Sequence, residues 1–191
     1  MSWKEYLASP ATARFWQWVE WGMGALLALS AISVIWSKYM PRISAAFLFA
    51  GAFIILLFSV LYGFDKIFFW AQTPEYALQW GTPLFLAVGL LSNNNSRILT
   101  GLRNAAAITF AAHGLYASGL APRPGNFIEM TMSILPVSQS TAGHFLTLAG
   151  ILDVVVAILV LLPFPKWQRA ALVYMVFWGL LTTLARWVAH V

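Results

Sequence analysis

The chain has 191 residues, of which 61% are apolar or aromatic and only 9% are charged, with a formal net charge of +5. A typical soluble domain is roughly one quarter charged, so this composition excludes an ordinary water-soluble domain. The absence of cysteine excludes disulfides, thiolate metal sites and a dithiol redox relay. The basic residues form no stripe along the sequence, which gives no support for binding nucleic acid.

Several apolar stretches approach or exceed the roughly 20 residues that a helix needs to cross a bilayer. Runs such as AAFLFAGAFIILLFSVLYG lack the two-residue alternation of strands in a membrane barrel. The sequence therefore predicts an all-α, polytopic transmembrane helical bundle that forms a single membrane domain over residues 1–191. The six predicted spans cover about residues 16–37, 43–62, 74–92, 104–121, 143–163 and 168–187.

Capping residues indicate where the first and third of these spans begin. Ser9 and Pro10 are typical of an N-cap and a first helical position, and the residues around them predict no removable signal peptide. Thr73–Glu75 predicts a similar start for span 3, which we expect to be kinked or interrupted near Gly81–Pro83.

The loop between spans 4 and 5 contains a short amphipathic segment over about residues 126–135. Asn126 with Glu129 three residues later is typical of a helix N-terminus, and Pro136 would end the helix. We expect this helix to lie on the membrane surface.

Six spans place both ends of the chain on one side of the membrane, which we name side A. The turns on the opposite side, side B, contain six basic residues and no acid, against five basic residues on side A and its edges. The positive-inside rule therefore predicts that side B is cytoplasmic and that the ends of the chain lie outside. The side B residues are Lys38, Arg42, Arg97, Arg103, Lys166 and Arg169, and those of side A are Lys4, Arg14, Lys66, Arg123 and Arg186.

Two ionisable residues lie near the middle of predicted spans, where a charge costs about 3 kcal/mol unless it faces protein, water or a partner. Asp153 lies at the centre of span 5 and His113 within a residue of the centre of span 4, so both reach the same depth. We predict a hydrogen bond between them. Thr109 and Tyr116 share a helical face with His113, and these four residues are candidates for ligand binding or proton handling. The alternative is a pair that only fixes helix packing.

A second polar cluster lies nearer side A. Glu20 is roughly 9 Å from the centre of span 1 and Arg186 roughly 12 Å from the centre of span 6, with His144 at a similar depth. An ion pair between Glu20 and Arg186 would neutralise both charges, and snorkelling of each side chain to the interface is the alternative. Trp178, Thr182 and Arg186 recur at a spacing of four residues, which indicates one inward-facing stripe.

Cofactor and enzyme motifs are sparse. Haem ligation by His113 and His144 is disfavoured because their predicted depths differ by roughly 8 to 12 Å. The three histidines, with His190 in the last turn, are too scattered for a metal site, and HExxH, GxSxG and phosphate-binding glycine loops are missing. We therefore predict no metal site and no hydrolase activity, and we do not expect the chain to be an enzyme on its own.

The C-terminal half, about residues 103–191, has a distinctive order of features. An arginine enters a span, a phenylalanine precedes a His-Gly pair, a proline-bearing loop holds the amphipathic segment, and the next span carries a glycine and an acid. These are Arg103 and Asn104, Phe110, His113 and Gly114, residues 122–135, and Gly150 and Asp153. This order resembles the DoxX-like superfamily of small bacterial membrane proteins. The resemblance implies a helical bundle of the bacterial cytoplasmic (inner) membrane, associated with quinone-linked oxidation or with accessory roles beside redox enzymes.

Three functions are compatible with these features. The first is an accessory or redox-associated subunit whose midplane pocket, lined by Thr109, His113, Tyr116 and Asp153, binds a quinone-like or lipid-like molecule. Its partners would be the lipid bilayer and either a membrane redox enzyme or further copies of the chain. The second is a small proton-coupled transporter in which Asp153 and His113 titrate, with half-helices near Pro83 facing the cargo. The third is a structural bundle without a ligand.

Overall fold

The described residues form α-helices joined by short turns. The computed structural model describes residues 5, 9–65, 71–92 and 95–189, so the predicted positions Lys4, Lys66 and His190 lie outside the described residues. The helices within these ranges are α1 Pro10–Trp36, α2 Pro41–Asp65, α3 Gln72–Glu75, α4 Ala77–Ser92, α5 Asn95–Ser118, α6 Gly125–Ile134, α7 Gln139–Leu159 and α8 Pro165–Ala189.

Four of these helices, α1, α2, α7 and α8, are long and apolar enough to cross a membrane, and the shorter α4 is also apolar. The all-α prediction is therefore confirmed, and four candidate spans indicate a multi-pass membrane protein. The six predicted spans are matched in part. Among the described helices, α5 has the length to cross, with 24 residues, but not the apolar composition of the other four.

The composition of α5 follows from its surroundings. Nine of its residues are buried, whereas the apolar windows of α1 and α8 are each only 11% buried. Polar groups on the buried face of α5 can therefore contact protein instead of lipid, although α2, with 39% of its apolar window buried, is just as buried and remains apolar. The buried residues are Gly101, Ala105, Ala106, Ala107, Phe110, Ala112, Gly114, Tyr116 and Ala117.

The predicted helix start at Ser9 and Pro10 is confirmed, because α1 begins at Pro10 with Ser9 as its N-cap. The predicted interruption of span 3 near Gly81–Pro83 is wrong in position. The helix is interrupted at Tyr76, between α3 and α4, and Pro83 lies inside α4. A proline within a membrane helix removes one backbone hydrogen bond that neighbouring groups can replace, so Pro83 does not end the helix.

The predicted amphipathic segment is a helix, α6, but its N-cap is Pro124, whose residue type offers no side-chain cap. The prediction that Asn126 caps it was wrong, because Asn126 lies within the first turn of α6.

The turn before α6 is held by Arg123. Its Nε and Nη2 atoms donate to the carbonyl of Ala117 at 3.0 and 2.7 Å, and Nη2 also donates to Thr147 Oγ1, so a cation closes the C-terminus of α5.

The chain divides into two compact units. Unit 1 comprises Met1–Phe58 and Gln79–Ile98, and unit 2 comprises Ser59–Leu78 and Leu99–Val191. Within unit 1, α1 and α2 meet through small polar residues: Ser44 Oγ donates to the carbonyl of Ser33 at 2.8 Å, and Ser33 Oγ donates to that of Ser30 at 2.7 Å.

Within unit 2, α5 packs on α7 at Gly114 and Gly150. A Cβ atom placed on Gly114 would lie 2.6 Å from the carbonyl oxygen of Gly150, and one on Gly150 would meet the backbone of Ser118 and Gly114. Two backbones in such close approach leave no room for any side chain, as is common where membrane helices pack. This contact fixes the register of α5 on α7 one residue from His113 and three from Asp153.

Candidate functional site

His113 lies between two carboxylates in unit 2. Its Nδ1 atom is 3.1 Å from Glu75 Oε1, at hydrogen-bond distance. Its Nε2 atom is 3.9 Å from Asp153 Oδ2, which is an ion-pair distance and too long for a hydrogen bond. The structure thus brings His113 and Asp153 together as expected, but at 3.9 Å the predicted hydrogen bond between them is absent, and the imidazole bonds to Glu75 through its other nitrogen.

Asp153 is the most deeply enclosed ionisable side chain of this site, with 0% of its surface exposed. Tyr174 on α8 donates its hydroxyl to Asp153 Oδ1 at 2.9 Å. The other oxygen, Oδ2, has no hydrogen-bond partner among the residues that the structure describes. Trp178 is near enough for its indole to interact with this carboxylate, but Nε1 makes no hydrogen bond of standard geometry. One oxygen of the Asp153 carboxylate is therefore hydrogen-bonded, and the other faces His113.

Glu75 joins this pair to Arg186. Its Oε1 atom lies 3.9 Å from Arg186 Nη2 as well as 3.1 Å from His113, and its Oε2 atom accepts a hydrogen bond from Gln72 at 3.3 Å. The sequence pattern predicts for Glu75 only a place at the start of span 3. The signal that could have identified it is an acid at the same end of the spans as Arg186.

Arg186 lies beside Glu75 within unit 2, a partner that the sequence analysis does not propose. Glu20 is exposed on α1 in unit 1, and its ion pair with Arg186 stays a prediction. His144 is exposed on α7 and is outside the cavity described below. Of the two members of the predicted second cluster that belong to unit 2, Arg186 is beside the His113 site and His144 is not.

Thr109 and Tyr116 flank the site without lining its cavity. Thr109 Oγ1 accepts a hydrogen bond from the backbone nitrogen of Leu78 at 2.8 Å, so it holds the first turn of α4 in place. Tyr116 is buried, with 1% of its surface exposed, in an apolar cluster of α5, α6 and α7. Both residues therefore help to hold together the helices that surround His113.

A cavity of about 210 Å³ opens beside His113, within unit 2. Its walls come from α5, α6, α7 and α8 and are mainly apolar, with side chains such as Met130, Leu146 and Leu181. Trp178, Thr182 and Arg186 line one wall together, so the predicted stripe on α8 faces this cavity. The ring of His113 lies 5.2 Å from that of Phe127 on α6, which holds the imidazole at the edge of the cavity.

The arrangement can bind a polar group and can hold or move a proton. The imidazole has a carboxylate beside each of its nitrogens, and the cavity brings a ligand to its ring while Asp153 stays behind it. Over the described ranges, no three histidine, aspartate or glutamate side chains are grouped to hold a metal ion.

No protein family, curated protein or solved structure matches this chain. The resemblance of its C-terminal half to DoxX-like proteins therefore stays a prediction.

Proposed function

We propose that this multi-pass membrane protein crosses the bilayer six times and binds an amphiphile, quinone-like or lipid-like, in the cavity of unit 2. The observation that carries the proposal is the composition of the cavity. Its walls are apolar, and two ionisable side chains, His113 and Arg186, are placed along them. An apolar cleft with a few convergent polar groups is the usual form of a small-molecule site.

The crossing helices in this proposal are α1, α2, α4, α5, α7 and α8. At a rise of about 1.5 Å per residue, α5 is roughly 36 Å long and exceeds the roughly 30 Å of hydrocarbon. Its buried residues explain why it can cross without an apolar surface. α4 is roughly 24 Å long on the same basis, and a short span is accommodated by local thinning of the bilayer.

The size of the cavity limits what it can enclose. Its volume of about 210 Å³ is below the roughly 300 to 1,000 Å³ of sites that enclose a drug-sized ligand. Ile134, Phe145 and Leu181 line the cavity and are 40 to 41% exposed, so its rim is apolar on the outside as well. The cavity therefore suits a head group and the first part of a chain, whose remainder would lie in the hydrocarbon of the bilayer.

The accessory, redox-associated role beside a membrane enzyme rests on the resemblance to DoxX-like proteins, which also favours the bacterial cytoplasmic membrane. By the count of basic residues, the end of unit 2 that holds α6 and Arg186 faces the outside.

The experiment fills the cavity and asks whether a bound amphiphile is lost. The protein is purified in a mild detergent, and the lipid extract is quantified by mass spectrometry. Ala185 lines the cavity, so we expect Ala185→Phe to reduce any specifically enriched amphiphile at least fivefold. Val176 on the same helix is 65% exposed and outside the cavity, so Val176→Phe is the matched control. An extract without enrichment, or an enrichment that both variants retain, contradicts the proposal.

Proton-coupled transport is the second candidate, favoured by the position of His113 between two carboxylates. In this case Asp153→Asn should abolish pH-driven uptake of the transported solute into proteoliposomes. Uptake that is unchanged for every candidate solute would remove this function.

A further inference from the structure

Arg186 and His113 share a single oxygen atom of Glu75. Oε1 lies 3.1 Å from His113 Nδ1 and 3.9 Å from Arg186 Nη2. Both bases line the cavity, but Glu75 does not. A ligand in the cavity can therefore contact both side chains, whereas their common carboxylate does not line the cavity.

The polar groups along the cavity favour a ligand that accepts hydrogen bonds. Thr131 and Thr182 already donate their hydroxyl protons to the carbonyls of Phe127 and Gly179. The guanidinium of Arg186 is a permanent cation with five N–H donors, and half of that side chain is exposed. No carboxylate of the described residues lines the cavity. An anionic oxygen head group is thus the best complement to this wall.

We infer that the cavity binds an amphiphile with an anionic oxygen head group at Arg186, and that this binding is coupled to the uptake of a proton by His113. The inference deepens the proposed function and rests on it. Among the described residues, the charged groups that face His113 are Glu75 from α3 and Asp153 from α7, with Arg186 and Tyr174 of α8 behind these carboxylates. From α6 the neighbour is the uncharged Phe127, and Tyr116 follows on α5 itself.

The direction of the coupling follows from these charges. An anionic head group at Arg186 weakens the attraction of Arg186 for Glu75 and adds a negative charge beside the imidazole. Both changes favour the protonated imidazole, because opposite charges nearby stabilise the charged form. The bound complex therefore holds more protons than the free protein. Its affinity for the anion must rise as the pH falls, by up to about tenfold per pH unit for one coupled proton.

Isothermal titration calorimetry of the full chain in detergent micelles measures this coupling directly. The probe is decanesulfonate, whose own charge is constant between about pH 5 and 9, and decanol is the uncharged probe of equal chain length. Titrations in two buffers of different ionisation enthalpy give the number of protons taken up. For the wild-type protein we expect up to about one proton per bound sulfonate and none with decanol.

Two histidine variants locate the proton. His113→Gln should bind decanesulfonate without proton uptake. His144→Gln, which changes an exposed histidine on α7 outside the cavity, should take up protons as the wild type does. The comparison between the two probes requires no variant, so a poorly folded His113→Gln protein leaves the inference testable.

The outcomes separate this inference from the proposed function. Binding of both probes without proton uptake at any pH overturns the inference and leaves the amphiphile site intact. Proton uptake that persists in His113→Gln also overturns it. Failure of both probes to bind overturns the inference together with the proposed function.

Discussion

Two polar contacts within apolar helices, one in each unit, differ in what they require of the protein. In unit 1, Ser33 and Ser44 join α1 and α2 through hydroxyl groups that donate to backbone carbonyls. In unit 2, Glu75, His113 and Asp153 form a chain of ionisable groups that ends at Tyr174 and Arg186. The serines are neutral and their hydroxyl groups are hydrogen-bonded. In the second contact Asp153 Oδ2 is buried without a hydrogen bond to any described residue.

This difference indicates what each contact is for. Hydrogen bonds between membrane helices contribute on average about 0.6 kcal/mol, and hydroxyl groups are sufficient to provide that. Each ionisable group placed at membrane depth costs about 3 kcal/mol before it is paired. A contact that served packing alone would not need three such groups beside a cavity. This cost supports the proposal that the ionisable groups of unit 2 handle a ligand or a proton.

The largest effect is expected at the close contact between α5 and α7, which positions His113 and Asp153. Gly150→Ala places a methyl group against the backbone of Ser118 and Gly114, which cannot move aside as a flexible side chain would. We expect a loss of about 2 to 3 kcal/mol in the free energy of unfolding, typical of overpacking. Unfolding in mixed micelles measures it. Gly179→Ala is the matched control, because no atom lies within 4 Å of its added Cβ, and an equal loss in both variants would contradict the close contact of α5 and α7.

Glu75→Gln tests whether Glu75 competes with a ligand for Arg186. The amide keeps an oxygen for the hydrogen bond to His113 and removes the negative charge beside Arg186. We expect decanesulfonate to bind roughly two- to fivefold more tightly, since a partly exposed ion pair contributes up to about 1 kcal/mol. Calorimetric titration at a single pH of about 8 measures the change. Weaker binding would show that Glu75 supports the anion site.

A smaller effect is expected from the serine contact of unit 1. Ser44→Ala removes the donor to the carbonyl of Ser33, and we expect a loss of about 0.6 kcal/mol in the free energy of unfolding. Ser92→Ala removes a hydroxyl that bonds within its own helix at an exposed position, so it serves as the control. A loss above about 2 kcal/mol for Ser44→Ala alone would contradict the modest contribution assigned to this contact.

A change in stability of similarly small size is expected at Asp153. Asparagine keeps the acceptor for Tyr174 and removes a buried negative charge, so Asp153→Asn should alter the free energy of unfolding by less than about 1 kcal/mol. A loss of 3 kcal/mol or more would indicate that the carboxylate is retained for structure, which would remove the contrast between the two contacts.

The depth of each residue along its helix could be predicted from the sequence. This depth was sufficient to predict that His113 and Asp153 lie close together. A constant rise per residue placed His113 and Asp153 at one level, and the structure brings them to 3.9 Å. The spacing of Trp178, Thr182 and Arg186 predicted that they share one face of a helix, and they line one wall of the cavity. Continued one turn back, the same spacing reaches Tyr174, which is the donor to Asp153.

The part of the site that could not be predicted depends on contacts between segments that are distant in the sequence. Glu75 is 38 residues from His113, and its place near Pro74 looked like the start of a helix. Whether the imidazole bonds to Glu75 or to Asp153 depends on the orientation of one ring, which spacing along a helix cannot give. Composition likewise could not show that the less apolar α5 is enclosed by other helices, because enclosure depends on tertiary packing.

Photo-crosslinking of the wild-type protein tests the amphiphile site most directly. The probe is an alkyl sulfonate with a diazirine on its chain, and peptide mass spectrometry locates the adducts. We predict adducts on the cavity wall, at residues such as Met130 and Leu181, that excess decanesulfonate suppresses and that Arg186→Gln reduces at least fivefold. Adducts spread over the exposed faces of α1 and α8, unchanged by the competitor and by the variant, would contradict a binding site in unit 2.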